Sequence, residues 1–219
     1  SNTVTGVATT NFEHVEVRFD TSGAITLLCG AMDHGQGHGT TFKQVLADKL
    51  GIDGGNIRYR YGDTDKVATG VGTFNARCAV FVGSAVSIAA DKIIAKGSRI
   101  AAHLLEAADD DIEFADGRFT VAGTDRSLIL EEIAKTAFQK PRLPADIEPG
   151  LYEHGEFGMG VGGAPTFPNG SHMAEVEIDS DTGKVSLVRY SAVDDAGTIL
   201  NPLLFDGQIH GGIAQGPNQ

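Results

Sequence analysis

The sequence contains few cysteines, and neither of them belongs to a metal-binding motif. Only Cys29 and Cys78 occur among the 219 residues, each in an apolar segment without CxxC or Cys/His spacing. This usage is typical of buried structural thiols and argues against a zinc site or an iron–sulfur cluster within the chain. It also gives no indication of an oxidising compartment.

Positive charge and long apolar runs are scarce as well. The chain carries 17 basic and 29 acidic residues, a formal net charge of -12, which argues against nucleic acid or an anionic membrane as the main partner. The longest uncharged apolar run, Cys78 to Ala90, is shorter than the roughly 18–20 residues that a membrane span requires. No basic segment followed by an apolar core opens the chain, so we predict no signal peptide, no membrane span and a cytoplasmic protein.

The hydrophobic periodicity predicts an α+β fold of two layers, with hairpins packed against helices. A hairpin is expected over 13–29, followed by a helix from Thr41 to Leu50 with Gly51 as its C-cap. A long helical region is expected from about Ala76 to Ala107, with Gly97 as the point of a break. The remaining predictions are a strand over 56–61, hairpins over 112–121 and 171–193, and a helix over about 127–138.

The composition divides the chain into three parts. Residues 139–170 are rich in proline and glycine, which predicts a linker or a surface crossing. Residues 1–138 would then form a first α+β unit, and residues 171–219 the start of a second, truncated one. The order of hairpin, glycine-rich turn and helix recurs in both halves, which indicates an internal duplication.

Three glycine-rich segments are the candidates for ligand binding: 33–41, 70–77 and 207–216. Glycines let a ligand approach the backbone closely, and the helix start that follows each of the first two offers N–H groups and a positive dipole end. Together the three segments suggest a long polar or anionic ligand that is contacted from several sides. Turns of this composition also occur for steric reasons alone, so a purely structural role stays open.

Two charged features of these segments have competing interpretations. Asp33, His34 and His38 could serve a metal-dependent hydrolase, although glycines 35, 37 and 39 argue against the helix that would align the two histidines. Arg77 lies at a predicted helix start, an unfavourable place for a cation unless it helps to bind an anion. The alternative for Arg77 is an ion pair with Asp63 or Asp65. A nucleotide-binding module without chemistry is a further alternative for the whole chain.

Several motifs together resemble one enzyme family, that of xanthine dehydrogenase and aldehyde oxidase. They are Gly35-Gln36-Gly37-His38 with Thr41, Gly72 to Arg77, Phe167 to Gly170, Glu175 to Asp179, Asp195, Asn201-Pro202 and Gly207-Gln208. Within the family the chain is most similar to the large, molybdenum-binding subunits of aerobic carbon monoxide dehydrogenase. A xanthine or aldehyde dehydrogenase-type large subunit is the alternative.

The resemblance implies a molybdopterin cytosine dinucleotide with molybdenum as the cofactor. By motif position, Gln36, Gly37 and His38 would line the dinucleotide, Thr73, Asn75 and Arg77 would lie near its phosphates, and Gln208 would lie near the pterin. Asn75 and Cys78 replace the small hydroxyl residues usual around the second segment, which puts the phosphate contacts there in doubt. No catalytic residue and no metal ligand is assigned within this chain.

The resemblance extends over nearly the whole chain, whereas the chain corresponds to only a fraction of such a subunit. We therefore expect a fragment that is inactive and lacks cofactor on its own. The resemblance further implies an FAD-binding medium subunit, a small subunit with 2Fe–2S clusters, and a dimer of the whole complex.

Overall fold

The computed structural model describes residues 12–74, 76–158 and 168–216. They fall into two compact units, one within 7–162 and the other chiefly within 163–219. The strands are β1 Phe12–Phe19, β2 Ile25–Cys29, β3 Ile57–Tyr61, β4 Ile112–Ala115, β5 Arg118–Val121, β6 Ser127–Ile129, β7 Tyr152–Gly158, β8 Asn169–Ile178 and β9 Val185–Asp195. The helices are α1 His38–Leu50, α2 Cys78–Leu104, α3 Leu130–Thr136 and α4 Pro202–Gln215.

A four-stranded sheet in the order β3-β2-β1-β7 forms the centre of the first unit. β1 pairs antiparallel with β2 and with β7, whereas β3 joins β2 in parallel after α1. Val15, Val17 and Phe19 alternate along β1 and point into the core. The predicted hairpin over 13–29 is therefore confirmed, and β1 becomes an inner strand of the sheet.

The prediction of a linker over 139–170 is wrong for residues 152–158, which form β7 beside β1. Gly155 of β7 lies directly against α2, where a Cβ would stand 1.8 Å from the carbonyl oxygen of Ala85. The glycine that suggested a turn thus permits a strand to pack closely on a helix. Residues 159–167 of the predicted linker lie outside the described residues.

Helix α2 is the central helix of the first unit and runs without a break through Gly97. Its buried positions recur every three or four residues, from Cys78 to Ala102, as expected for a helix with one face in the core. At Gly97 a Cβ would lie 2.5 Å from the Phe119 ring, so this glycine makes room for an aromatic side chain. The predicted break is therefore wrong, because close packing explains the glycine.

By length and composition alone, α2 would also qualify as a membrane-spanning helix. The prediction of no span rested on the shorter uncharged run, whereas the helix includes residues on both sides of Asp91 and Lys92. Of its most apolar window, 44% is buried within the fold. Core helices share this length and composition, so the helix alone is weak evidence for a membrane.

Other helix boundaries also differ from the predictions. Helix α1 begins at His38 instead of Thr41, because Gly37 as its N-cap adopts a left-handed φ of 83°. Residues 127–129 form β6 against β5, so α3 begins at Leu130. The glycine-rich segment 207–216 lies mostly within α4, which Asn201 caps by accepting a hydrogen bond from the Leu204 amide. Gly51 is confirmed as a C-cap, with a φ of 60°.

The second unit contains the antiparallel hairpin β8–β9, which confirms the prediction over 171–193, and α4. Every residue of β8 is exposed, and α4 has no buried residue among those described. Large apolar side chains stand in solvent, with Met173 72%, Val193 75% and Leu203 81% exposed. The described part of this unit therefore does not enclose a core of its own.

Candidate functional site

Two of the predicted glycine-rich segments meet at one edge of the first unit. The first loop (residues 30–37) follows β2, and the second loop (residues 70–77) leads into α2. Gly30 and Gly70 touch, since a Cβ on either would lie 2.5–2.6 Å from the Cα of the other. The fold thus joins two segments that are about forty residues apart. Contacts between them offset the entropy that is lost when the intervening chain is closed into a loop.

Gln36 and Thr73 share a single backbone acceptor between the loops. The Thr73 hydroxyl donates to the Met32 carbonyl oxygen at 2.6 Å, and Gln36 Nε2 donates to the same oxygen at 3.2 Å. Gln36 Oε1 accepts from the His34 amide at 2.7 Å, so this side chain is held at both ends. The structure therefore brings together two of the residues that the sequence assigned to cofactor binding.

Asp33 occupies the N-terminal end of α1 that was expected to bind an anion. Its carboxylate accepts from the amides of Gly35 and Gly39, both at 3.0 Å. Partial burial raises the pKa of Asp33, but hydrogen bonds from Gly39, Gly35 and Gly37 outweigh it and hold the pKa below its ordinary value. The protein's own carboxylate thus takes the place of a ligand anion at this helix end.

The hydrolase alternative receives no support from this geometry. Both oxygens of the Asp33 carboxylate accept backbone amides. In the part of the chain that the structure describes, no group of three His, Cys, Asp or Glu side chains could hold a metal ion. Asp33 instead shapes the first loop.

Replacing Asp33 by alanine is expected to destabilise the chain by about 1–2 kcal/mol at pH 7, because two amides at a helix start lose their acceptor. The folded-state pKa lies below the unfolded one, so this contribution is complete above the unfolded value of about 4. It is lost as the pH falls through the folded value. Urea unfolding of the wild-type and Asp33→Ala chains between pH 3 and pH 7 would measure the difference in their free energies of unfolding. Asp65→Ala, at an exposed position, is the control; an equal pH dependence in both variants would contradict the account.

His38 is buried at the start of α1, directly after the first loop. It is 7% exposed and packs on Phe42, with ring centroids 4.7 Å apart. Burial lowers the pKa of His38 and so favours the neutral ring, and the nearby negative charge of Asp33 only partly opposes this effect. Gln36 Nε2 lies 3.0 Å from His38 Nε2, and a neutral ring nitrogen can accept that hydrogen bond. Gln36 and Gly37 are partly exposed, whereas the buried His38 holds the Gln36 side chain in place through this hydrogen bond.

Arg77 is buried and makes an ion pair with Glu13, at 2.6 Å between Nη1 and Oε1. Nη1 also donates to the Gly72 carbonyl at 2.6 Å, and Nη2 donates to the Phe12 carbonyl at 2.8 Å. The guanidinium carbon lies 5.0 Å from the centre of the Phe74 ring and 4.7 Å from the centre of the Phe81 ring. Its partner is thus neither Asp63 nor Asp65, and a direct contact of Arg77 with phosphate is incompatible with this burial.

Glu13 is the functional candidate that the sequence analysis missed. Besides pairing with Arg77, its Oε1 accepts from the amides of Val71 at 3.1 Å and Gly72 at 2.8 Å. A signal was present, since Glu13 precedes Val15, Val17 and Phe19 at the same alternating positions of β1, where an apolar residue is expected. A carboxylate in a buried position of a strand usually indicates a specific partner.

The surface between the loops is open and lined by glycine. Gly35 and Gly72 have φ values of 109° and 110°. No described atom lies within 4 Å of the position that a Cβ would take at either residue. The partly exposed Gln36 and Thr73 flank this opening. A flat polar molecule could therefore approach the backbone and find an amide and a hydroxyl beside it, so these residues fit a pterin-type ligand.

Two further site residues, Asn75 and Gln208, were predicted from the motifs. Asn75 lies outside the described residues. Gln208 lies on α4 of the second unit, with its side chain exposed. Both cysteines are buried and free, as predicted, and burial raises the pKa of Cys29 to about 11.

Comparison with known proteins decides the family. A protein-family model described as a molybdopterin cofactor-binding domain matches residues 1–218. The chain belongs to this family. The resemblance found in the sequence motifs is thereby confirmed.

Individual relatives agree with this assignment. The carbon monoxide dehydrogenase large chain of Hydrogenophaga pseudoflava is 37% identical over 211 residues, which cover 94% of this chain and 25% of the relative. The nicotine 6-hydroxylase large subunit of Paenarthrobacter nicotinovorans is 38% identical over 203 residues, or 91% of this chain and 24% of the relative. A xanthine dehydrogenase molybdenum-binding subunit of Escherichia coli is more distant, at 30% identity over 202 residues, or 89% of this chain and 25% of that subunit.

A solved structure confirms the α+β fold. The crystal structure of a Cu,Mo-containing carbon monoxide dehydrogenase superposes with a TM-score of 0.82 at 36% identity, covering 94% of this chain and 25% of that chain. The chain therefore spans about a quarter of the length of the relatives that it matches.

Proposed function

We propose that this chain is the part of a molybdenum hydroxylase large subunit that holds a molybdopterin cytosine dinucleotide, in an enzyme similar to carbon monoxide dehydrogenase. The observation that carries the proposal is the meeting of Gln36 and Thr73 at the Met32 carbonyl, beside the open glycines 35 and 72. Family membership supplies the class of the ligand. When bound, the molybdenum cofactor supplies the redox chemistry of substrate hydroxylation.

The residues of this chain would bind and orient the dinucleotide. Gln36 and Thr73 offer hydrogen-bonding groups at the opening, and Gly37 lets the backbone approach the ligand. His38 keeps Gln36 in place. We retain Asn75 as a proposed neighbour of the phosphates and Gln208 as a proposed neighbour of the pterin. For Arg77 we replace phosphate contact by a role in positioning the second loop.

We further propose that residues 168–216 belong to a second unit that other segments of the subunit complete. The exposed apolar side chains of β8, β9 and α4 support this proposal, since surfaces of that kind are usually covered. An FAD-binding medium subunit, an iron–sulfur small subunit with 2Fe–2S clusters, a dimer of the complex and a cytoplasmic location complete the proposal.

Carbon monoxide is the substrate that we favour for the complete enzyme, because of the two relatives named for it. A nitrogen heteroaromatic compound is a second candidate, because the nicotine 6-hydroxylase subunit matches this chain at nearly the same identity. Reduction of an artificial electron acceptor by the complete enzyme with carbon monoxide or with nicotine would separate the two.

Variants of the complete subunit, expressed with its neighbours, test the site. Gln36→Ala and Thr73→Val are each expected to reduce molybdopterin content by about tenfold after gel filtration, since each loses a hydrogen bond to the Met32 carbonyl that positions the proposed binding surface. Gln139→Ala and Thr124→Val are matched controls, because these side chains donate to backbone carbonyls away from the loops. Unchanged content in both loop variants would contradict the proposed site.

A further inference from the structure

We propose that Glu13 is a positioning residue of the cofactor site, and that its carboxylate, neutralised by Arg77, holds the second loop in the conformation that faces the first. The inference rests on the proposed function of these loops. It concerns residues that touch no ligand surface, since both side chains are fully buried.

One carboxylate oxygen organises the backbone of the second loop. Glu13 Oε1 accepts three hydrogen bonds, from the amides of Val71 and Gly72 and from Arg77 Nη1. The same Nη1 donates to the Gly72 carbonyl, so the N–H and C=O groups of this glycine are both held. Gly72 is thereby fixed at its φ of 110°, a region that side-chain-bearing residues rarely adopt.

The second loop transmits this position to the first. Thr73, the next residue, donates its hydroxyl to the Met32 carbonyl, which also receives Gln36 Nε2. Gly70, on the other side, touches Gly30. Any shift of the backbone at 71–72 would therefore move Thr73 away from the acceptor that it shares with Gln36. Glu13 sets the distance between the two groups that are proposed to contact the ligand.

Stability alone does not explain the presence of this ion pair. A buried pair of charges is often no more stabilising than apolar side chains of similar volume. The pairing here is also incomplete, because Glu13 Oε2 and Arg77 Nε have no hydrogen-bond partner among the described residues. What apolar side chains could not supply is an acceptor for the two loop amides. The geometry therefore points to loop position as the property that the pair maintains.

The double variant Glu13→Met/Arg77→Met separates the two roles. It removes the acceptor without leaving a single charge buried, so the chain should still fold and should lose less stability than with Arg77→Met alone. Hydrogen exchange of the peptide covering 70–77 is expected to become about tenfold faster or more, since hydrogen bonds to a charged acceptor are lost. In the complete subunit, molybdopterin content should fall by a similar factor.

Glu16→Gln is the matched control, because Glu16 lies on the same strand but pairs with Arg18, whose side chain is 52% exposed. It should change neither exchange over 70–77 nor molybdopterin content. Glu13→Gln combined with Arg77→Met keeps an oxygen that can accept the loop amides, leaves no charge buried, and should restore part of the exchange protection that the double methionine variant loses.

Three outcomes would overturn the inference. They are unchanged exchange over 70–77 in the double variant, unchanged molybdopterin content despite faster exchange, and a double variant that does not fold. The last would show that the pair is needed for the fold itself. A wild-type subunit without molybdopterin would contradict the proposed function instead, while exchange over 70–77 would still report on whether Glu13 holds the loop.

Discussion

Replacing Arg77 alone by methionine is expected to lower the free energy of unfolding by about 3–5 kcal/mol, because Glu13 would remain as a buried charge without a partner. The ion pair has no exposed surface, so water cannot compensate the carboxylate. The rings of Phe74 and Phe81, whose centres lie 5.0 and 4.7 Å from the guanidinium carbon, would also lose this cation. Urea unfolding of the 219-residue chain, monitored by circular dichroism, would measure the change in the free energy of unfolding.

Arg18→Met is the control for this experiment. Arg18 pairs with Glu16, but its side chain is 52% exposed. Pairs of that kind contribute about 0–1 kcal/mol. If Arg77→Met proved as stable as Arg18→Met, the buried pair would not have the role that the structure gives it.

Replacing Gly155 by alanine is expected to cost about 3 kcal/mol or more, as severe overpacking does. The new Cβ would lie 1.8 Å from the carbonyl oxygen of Ala85 and 2.8 Å from the Ala89 amide nitrogen. Both atoms belong to the backbone of a buried helix, so neither can move aside as a side chain could. β7 would have to separate from α2 or lose its pairing with β1. Thermal unfolding of the variant chain would measure the loss.

Gly83→Ala is the matched control, since Gly83 lies in α2 and no described atom lies within 4 Å of the position that its new Cβ would take. That substitution should be neutral or stabilise the helix by up to about 1 kcal/mol. Equal melting temperatures for the two alanine variants would contradict the close packing of β7 on α2.

Local patterns were sufficient to predict much of the fold. Alternation predicted the hairpin of β1 and β2 and the hairpin of β8 and β9, because each pairs residues that are close in sequence. Gly51 was recognisable as a C-cap because the left-handed conformation after a helix favours glycine. The family was recognisable from several motifs in a fixed order.

Features that depend on distant contacts were not predictable in this way. β7 has no apolar alternation, and its pairing with β1 joins residues more than a hundred positions apart. The glycines of β7 and α2 serve close packing, which the sequence does not distinguish from a turn or a break. The glycines of α4 lie in an exposed helix, where an asparagine cap and Pro202 mark the start.

The candidate site shows the same division. Glycine-rich composition singled out the two loops that the fold brings together, and the family resemblance pointed to Gln36 and Thr73 within them. The same composition wrongly suggested free amides, because carboxylates of the chain itself accept them. Asp33 lies within the first loop, but Glu13 comes from β1, nearly sixty residues before the amides that it holds.

The proposal that this chain holds a molybdopterin cytosine dinucleotide is tested most directly in the complete subunit, expressed with its neighbours. The quantities to measure are the molybdenum and the released cytidine nucleotide per subunit. We expect about one of each per subunit, because the proposed cofactor is a single molybdopterin cytosine dinucleotide. A folded and correctly assembled complex that contains neither would mean that the two loops are structural turns, and would contradict the proposed function.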